Sequence, residues 1–538
     1  MSQTLFIHHR IYTLTGVTPI DGAILTADGK IQFVGTLDDA RGLASESCVE
    51  VRLPGEVVLP GFHDAHIHTG DMARGLVAPQ LGGATNYQEV LRRLSEFATF
   101  RSGETWVLGG RWDSHEWHCG SAPDKADLDA IFGATPVVLQ SVDGHASWAN
   151  SAALAQAGIH RESPEVEGGE IVRDDTGDPT GLLREAAQDI PRRMAESSLE
   201  PQLPDLISAI QGELIRLGIT QITDFDGEEI RDVYQQLDDA GKLRLRVNKA
   251  VQAADLELAI AQGRRTGAGS DYLRTGPVKF FSDGALGTHS ALVSEPYADS
   301  TPEQPCNCGI AVTSVADLVT GVTRANAHGL STAIHAIGDQ ANTNVLKIYA
   351  GVFLSTRANR LVNRIEHAQH LSHSDVARFA SYGVVASQQP THCTTDYPLN
   401  SKRLGDRPLA SYAWKTLLDA GALVAFGSDA PVEPANPWFA IHAAVTRRTR
   451  EPNALTDGKT SETLTVAQAL QAHTQSSADA LGLGELSGTL APGKYADFIA
   501  CDQDPFEVGP TDLWKTQVQA TVIGGTVQYS APDFAGVG

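Results

Sequence analysis

The sequence predicts an α/β fold: a (β/α)8 barrel of the TIM type with a long insertion after strand 1, plus a small composite β-sandwich built from both termini. Three observations predict it. Short apolar, β-like runs alternate with helical patterns through the middle of the chain, the signature of βα units. Both ends instead carry short alternating strands separated by turns. And five of the central runs carry a histidine, a carboxylate or a lysine at or near their ends: His66-Ile67-His68, Val278-Lys279-Phe280-Phe281, Ala333-Ile334-His335, Arg364-Ile365-Glu366-His367 and Gly427-Ser428-Asp429. A parallel barrel brings the C-terminal ends of all its strands to one mouth, so residues scattered along a chain converge there.

In chain order, residues 1–57 supply strand-like segments such as Leu5-Phe6-Ile7, Ala23-Ile24-Leu25-Thr26 and Ile31-Gln32-Phe33-Val34. Residues 485–538 do the same with Phe498-Ile499-Ala500 and Val518 to Ile523. Neither end is long enough for a good sheet, so the two are expected to share one. The barrel is expected over 58–484, with strands at 57–66, 219–224, 243–250, 278–282, 331–335, 363–367, 383–388 and 422–429. Helices such as Asp205 to Leu217 and Val315 to His328 are each stopped by a glycine, which suits a left-handed cap. This count leaves 70–205 outside the barrel. An insertion at that point is expected to face the mouth and to govern substrate choice.

Composition sets bounds. The chain has 538 residues, enough for more than one core, and its 42% hydrophobic and 20% charged content is ordinary for a globular protein. With 41 basic against 65 acidic residues the net charge is −24, which argues against nucleic-acid or anionic-membrane partners. No apolar run approaches the roughly 20 residues that span a bilayer. The first residues lack the pattern of a secretory signal, so a cytoplasmic location is the expectation. The six cysteines form no paired framework and read as free thiols.

The candidate ligands carry the chemistry. His66 and His68 lie on one face of an extended segment, because side chains repeat every second residue. Asp64, two residues before His66, is an acidic group able to orient an imidazole. His335 and His367 are, singly, as compatible with buried structural histidines as with ligands. Asp429 and Lys279 each end or interrupt an apolar run, where a charge needs a partner or a task. Together, imidazole and carboxylate at the ends of four strands point to a metal site with a position kept for water. His63 is expected not to ligate, and His370, His392 and His442 have no spacing that sets them apart.

Pro60-Gly61-Phe62-His63-Asp64-Ala65-His66-Ile67-His68 resembles the signature of the amidohydrolase superfamily, and the finer likeness is to its YtcJ-like (amidohydrolase-3) branch, which includes N-substituted formamide deformylases. The resemblance extends through Trp106 to Asp113, Asp143 to Asn150, Pro179 to Glu185, Val278 to Gly287, His335 to Asp339, Ile365-Glu366-His367, Gly427 to Val432 and Gly488 to Phe498. It implies zinc, with iron, manganese or cobalt as alternatives, held as one or two ions. His66, His68 and Asp429 would hold the first. Lys279, carboxylated on Nζ, would bridge to a second held by His335 and His367; the alternative is an unmodified Lys279 and a single ion. Asp429 would move the proton of the attacking water to the leaving nitrogen. His145, in the insertion with Trp148 and Asn150, would approach the substrate carbonyl, and Glu185, Asp283 and His289 would play supporting parts. The activity implied is hydrolysis of a C–N bond in a small amide, formamide or cyclic imide. Lactone, ester or phosphotriester hydrolysis on the same site, or a silent scaffold, are the alternatives. The partner is a small-molecule substrate, and a homodimer is expected from the large loop surface.

Overall fold

The computed structural model describes residues 3–16, 18–100, 106–112, 123–141, 146–300, 306–451, 456 and 458–532. The chain divides into one unit of Met1–Thr69 with Gln211–Gly538, and a second of Gly70–Ile210.

The first unit holds the barrel. Its strands are β1 (Phe62–Ile67), β2 (Ile219–Asp224), β3 (Arg246–Gln252), β4 (Leu273–Phe281), β5 (Thr332–Ala336), β6 (Arg364–His367), β7 (Val385–Gln388) and β8 (Val424–Phe426). They lie side by side in sequence order, each parallel to the next. Each overlaps one of the eight segments the sequence predicts, with bounds that differ by a few residues. β1, β2, β6, β7 and β8 are buried at every position, as expected of strands covered on both faces.

The ring closes at the mouth. Asp429 N–H donates to the His66 carbonyl (2.7 Å) and His68 N–H to the Ala430 carbonyl (2.9 Å), beside a parallel bridge of Ile67 with Ala430. Gly427 makes the approach possible: a Cβ there would fall 2.4 Å from the His66 nitrogen. The helices Leu203–Arg216 and Val315–Ala327 end just before Gly218 and Gly329, both in the left-handed region. None of the described helices is long and apolar enough to cross a membrane.

One expected strand proves to be two. Val57–Pro60 belongs to the terminal sheet, and Gly61 separates it from β1. Pro60 has no N–H for a ladder, and at Gly61 a Cβ would fall 2.3 Å from Thr220 Cγ2, so the chain turns where only glycine fits. The terminal sheet has eight strands. Val57–Pro60 sits at its centre, antiparallel to Phe498–Cys501 and beside Gln3–Ile11. Phe6, Ile24, Val51 and Val58 from the N-terminal part share a core with Phe498, Ala520 and Val522 from the C-terminal part. Arg246, at the start of β3, forms a buried two-bond pair with Asp497 (Nε–Oδ2 2.6 Å, Nη2–Oδ1 2.9 Å).

The second unit is built on a five-stranded sheet in the order Gly169–Arg173, Pro179–Glu185, Ala146–Ala149, Val137–Ser141, Val107–Trp112. Trp148 is fully buried in its core and donates from Nε1 to the Asp124 carbonyl (2.8 Å). Asn150 caps the helix Ser151–Gln156 and ties Val137 and Thr135 to it. Both are framework residues of this unit. His145 lies outside the described residues.

Candidate metal centre

Four strand ends and one loop bring the site together. His66 and His68 lie at the end of β1, Lys279 on β4, His335 on β5, His367 at the end of β6, and Asp429 just past β8. Two of these positions have strained backbone: His367 has φ 72 and Asp429 φ 58, in the left-handed region that side chains with a Cβ avoid. Such conformations cost about 1–3 kcal/mol each and persist only where surrounding contacts fix them. Here the closing hydrogen bonds of the barrel fix Asp429.

Asp429 Oδ1 lies 3.4 Å from His66 Nε2 and 3.5 Å from His68 Nε2. These separations are long for hydrogen bonds between such groups. They match the edge of a tetrahedron, about 3.4 Å, around an ion with bonds of about 2.0–2.1 Å to nitrogen and oxygen. All three donor atoms fall within 4.8 Å of one another. Two imidazoles and a carboxylate this close suit a cation in place of the proton that His68 otherwise holds, so the residues fit a metal ion.

Each imidazole is held from behind. His66 Nδ1–H donates to Glu366 Oε2 (2.6 Å), His68 Nδ1–H to Asp226 Oδ1 (3.0 Å), and His367 Nδ1–H to Gln389 Oε1 (2.9 Å). His335 donates from Nε2 to the Gly284 carbonyl (3.2 Å). With one nitrogen fixed as donor, the other presents its lone pair, the arrangement that orients histidine ligands. Glu366 is itself clamped by the fully buried Arg364, through Nε and through Nη2 at 3.2 Å. Burial alone would raise the Glu366 carboxyl, but Arg364 and then His66 hold it well below its ordinary value, so it stays an acceptor.

The same environment sets the other charges. Burial, reinforced by Lys279, pushes His66 down to about 4 and His335 to about 3, so both are neutral at pH 7. His68 goes the other way: against the cost of burial, Asp226 and Asp429 raise it to about 10. Without an ion it shares a proton with its two carboxylates, and a cation would displace that proton. Lys279 is 2% exposed, with Nζ 4.6 Å from the Phe225 ring centre and 5.0 Å from that of Phe281. No carboxylate pairs with it among the described residues. Burial lowers it to about 8. Phe225 is the common floor: the His66 ring stacks on it at 4.2 Å and the Arg364 guanidinium lies 5.2 Å away.

Several sequence expectations change. Asp64 does not touch an imidazole. Its Oδ1 accepts from the backbone N–H of His66 (3.1 Å) and of Ser428 (3.0 Å), joining β1 to the turn after β8. The orienting carboxylates are Glu366 and Asp226, neither singled out from sequence. A clue existed in β6: Arg364 and Glu366 alternate onto one face of a fully buried strand, and two opposite charges there need each other. His63 faces away, with Nε2 3.2 Å from Thr223 Oγ1. Asp283 joins the loops after β4 and β5, accepting from Leu292, Ile337 and Gly338. His289 pairs with Asp299 at 3.0 Å.

His392 is the main residue that sequence reasoning passed over. It sits in the helix Pro390–Thr395 directly after β7, with Nε2 3.6 Å from Asp429 Oδ2 and its ring stacked 6.0 Å from His367. His367, His392 and Asp429 form a second group with donor atoms within 4.8 Å of one another. Its strand, β7, ends in Ser387-Gln388, Gln389 precedes the helix, and Pro390 opens it.

Comparison with known proteins gives the family of the chain. The sequence model of the Amidohydrolase family matches residues 50–529. The chain is 33% identical to the protein LONG AFTER FAR-RED 3 of Arabidopsis thaliana, over 98% of this chain and 92% of that one. It is 31% identical to the Bacillus subtilis protein YtcJ, over 96% and 98%. With the N-substituted formamide deformylase of Arthrobacter pascens it shares 26% over 98% of each chain. In structure it is similar to an uncharacterised metal-dependent hydrolase from Pyrococcus horikoshii, with TM-score 0.80 and 26% identity, covering 95% of this chain and 99% of that one. The chain belongs to the amidohydrolase family.

Proposed function

We propose that this protein is a metal-dependent hydrolase of C–N bonds in small amides, formamides or cyclic imides. One observation carries the reading. Two imidazole nitrogens, each fixed in its donor–acceptor sense from behind, meet one carboxylate oxygen at 3.4 and 3.5 Å, as the vertices of a tetrahedral site with one position left over. His66, His68 and Asp429 would hold one ion, zinc by the nature of the donors. Lys279 in its carboxylated form, with His335 and His367, would hold a second. When bound, such an ion polarises a carbonyl oxygen and makes water acidic enough to ionise near neutral pH. Asp429 then does the proton work: its Oδ2 accepts the proton of the attacking water and returns it to the leaving nitrogen, so the amine departs neutral. Glu366 and Asp226 keep His66 and His68 in the ligating tautomer throughout. The likeness to a formamide deformylase supports the C–N bond over the ester bond.

The test has two parts. Elemental analysis of wild type and Lys279→Ala should give about two ions per chain falling to one or none. A panel of 4-nitroanilides, 4-nitrophenyl esters, lactones and phosphotriesters should then show the highest kcat/KM on an anilide. Ion-free protein that gains no activity on reconstitution with zinc, manganese or cobalt would sink the hydrolase reading. A panel won by esters or phosphotriesters would move the reaction class and leave the site.

A further inference from the structure

We propose that His392 touches the substrate rather than an ion, donating a hydrogen bond to the acyl oxygen of the bound amide; this rests on the hydrolase reading above. Among the described residues five imidazoles crowd this mouth, and four share a construction that the fifth lacks. His66, His68, His335 and His367 each have one nitrogen held by an acceptor, which leaves the other as a fixed lone pair. A histidine that binds an ion is nearly always held in this way. No acceptor holds His392 among the described residues. Its Nε2 is buried, makes no hydrogen bond, and lies 3.6 Å from Asp429 Oδ2, beyond hydrogen-bonding distance.

Its neighbours point the same way. Gln389 Nε2 and Thr391 Oγ1 are also buried and without a hydrogen-bond partner among the described residues, and these residues are 3% and 1% exposed. Three such atoms in the four residues Gln389–His392 are unusual, because buried polar atoms are nearly always paired. Gln389 cannot turn over to satisfy itself, since its Oε1 is engaged by His367 Nδ1–H. Its amide N–H groups are therefore left as donors. The segment after β7 is a polar wall of unpartnered groups, each able to donate, beside the carboxylate that moves the proton. An amide carbonyl supplies an acceptor, and its oxygen gains charge as the carbon becomes tetrahedral, so a donor there favours the transition state over the ground state. Stacking on His367 sets the plane of the His392 ring and leaves the sense of its N–H to be decided by what binds.

The experiment uses the full-length protein loaded with cobalt(II), whose visible spectrum reports the donor set, with acetohydroxamate as a carbonyl-bearing probe. His392→Asn should keep the wild-type cobalt content and spectrum, and bind acetohydroxamate at least 10-fold more weakly. On a 4-nitroanilide that wild type hydrolyses, kcat should fall about 10²–10³-fold, with KM raised by no more than the loss in hydroxamate affinity, and His392→Gln, which restores a donor at similar reach, should recover part of it. His367→Asn serves as the contrast, losing cobalt and changing the spectrum. Loss of cobalt by His392→Asn would overturn the proposal and make His392 a ligand, leaving the hydrolase reading intact. Unchanged hydroxamate affinity and kcat would overturn it too. Failure of wild type to take up cobalt would remove both readings together.

Discussion

Two buried arginine–carboxylate pairs in the first unit are nearly alike in chemistry and opposite in use. Arg246 meets Asp497 where the barrel joins the terminal sheet, and Arg364 meets Glu366 inside β6. In both, the guanidinium lies over aromatic rings: Tyr495 at 3.7 Å and Tyr272 at 4.8 Å in the first, Phe225 at 5.2 Å in the second. Both carry the large desolvation cost of buried charge, offset by short hydrogen bonds. They differ in what the carboxylate does next. Asp497 spends its remaining capacity on the Gly524 N–H (2.8 Å), which ends the chain of contacts in backbone. Glu366 instead reaches His66, whose far nitrogen faces Asp429. A buried ion pair is therefore no sign of function in itself. The partner at its far end decides.

The contrast can be broken at graded cost. The largest effect is expected at the end point: Asp429→Ala should lose the ion and lower hydrolysis by about 10⁴-fold or more, while circular dichroism stays native. Next comes a matched pair of substitutions. Glu366→Gln and Asp497→Asn each leave an arginine buried without its counter-charge, a loss of about 3–5 kcal/mol in chemical unfolding. Only Glu366→Gln should also weaken cobalt binding, by about 10–100-fold. Equal weakening by Asp497→Asn would erase the distinction. Gln389→Leu removes a neutral acceptor from His367 and should cost no more than about tenfold in cobalt affinity, with little change in stability.

The smallest expected effect is in acid. Because Glu366 is held well below its unfolded value of 4.5, its contribution to stability is complete above that value and is lost as pH falls through the lower native one. In ion-free protein, the stability deficit of Glu366→Gln should therefore be constant from pH 7 to about 5 and shrink below 4.5. A deficit that shrinks already between pH 7 and 5 would assign the effect to another group.

Much of this was legible from the chain. A segment for each of the eight barrel strands could be placed, because short β-like runs alternate with helical patterns between them, and the residues that close them stand at one mouth by topology alone. What escaped was partnership across distance. Glu366 lies 300 residues from His66, and no spacing announces that they meet. Asp64 stood closer in sequence and was expected in that role, but a strand directs residues i and i+2 to one face, not toward each other. His392 escaped for a different reason. It follows a strand end by several residues, on a short helix whose direction no periodicity encodes. The break at Gly61 was marked by the dipeptide Pro60-Gly61, and the expected strand 57–66 nevertheless ran through it, because strand-like residues continue on both sides.

The central place of Val57–Pro60 in the terminal sheet has a consequence for how the protein is made. Its antiparallel neighbour, Phe498–Cys501, leaves the ribosome about 440 residues later. At about 5–20 residues per second, the first half of that sheet waits roughly 20–90 s with an apolar edge open. An open edge of this kind is a template for pairing with other chains. The barrel is delayed in the same way, since β1 cannot close before β8 and Asp429 have emerged. The nascent chain therefore passes most of its synthesis unable to hold a metal ion and prone to association, and a product truncated before Phe498 should depend on chaperones to stay in solution.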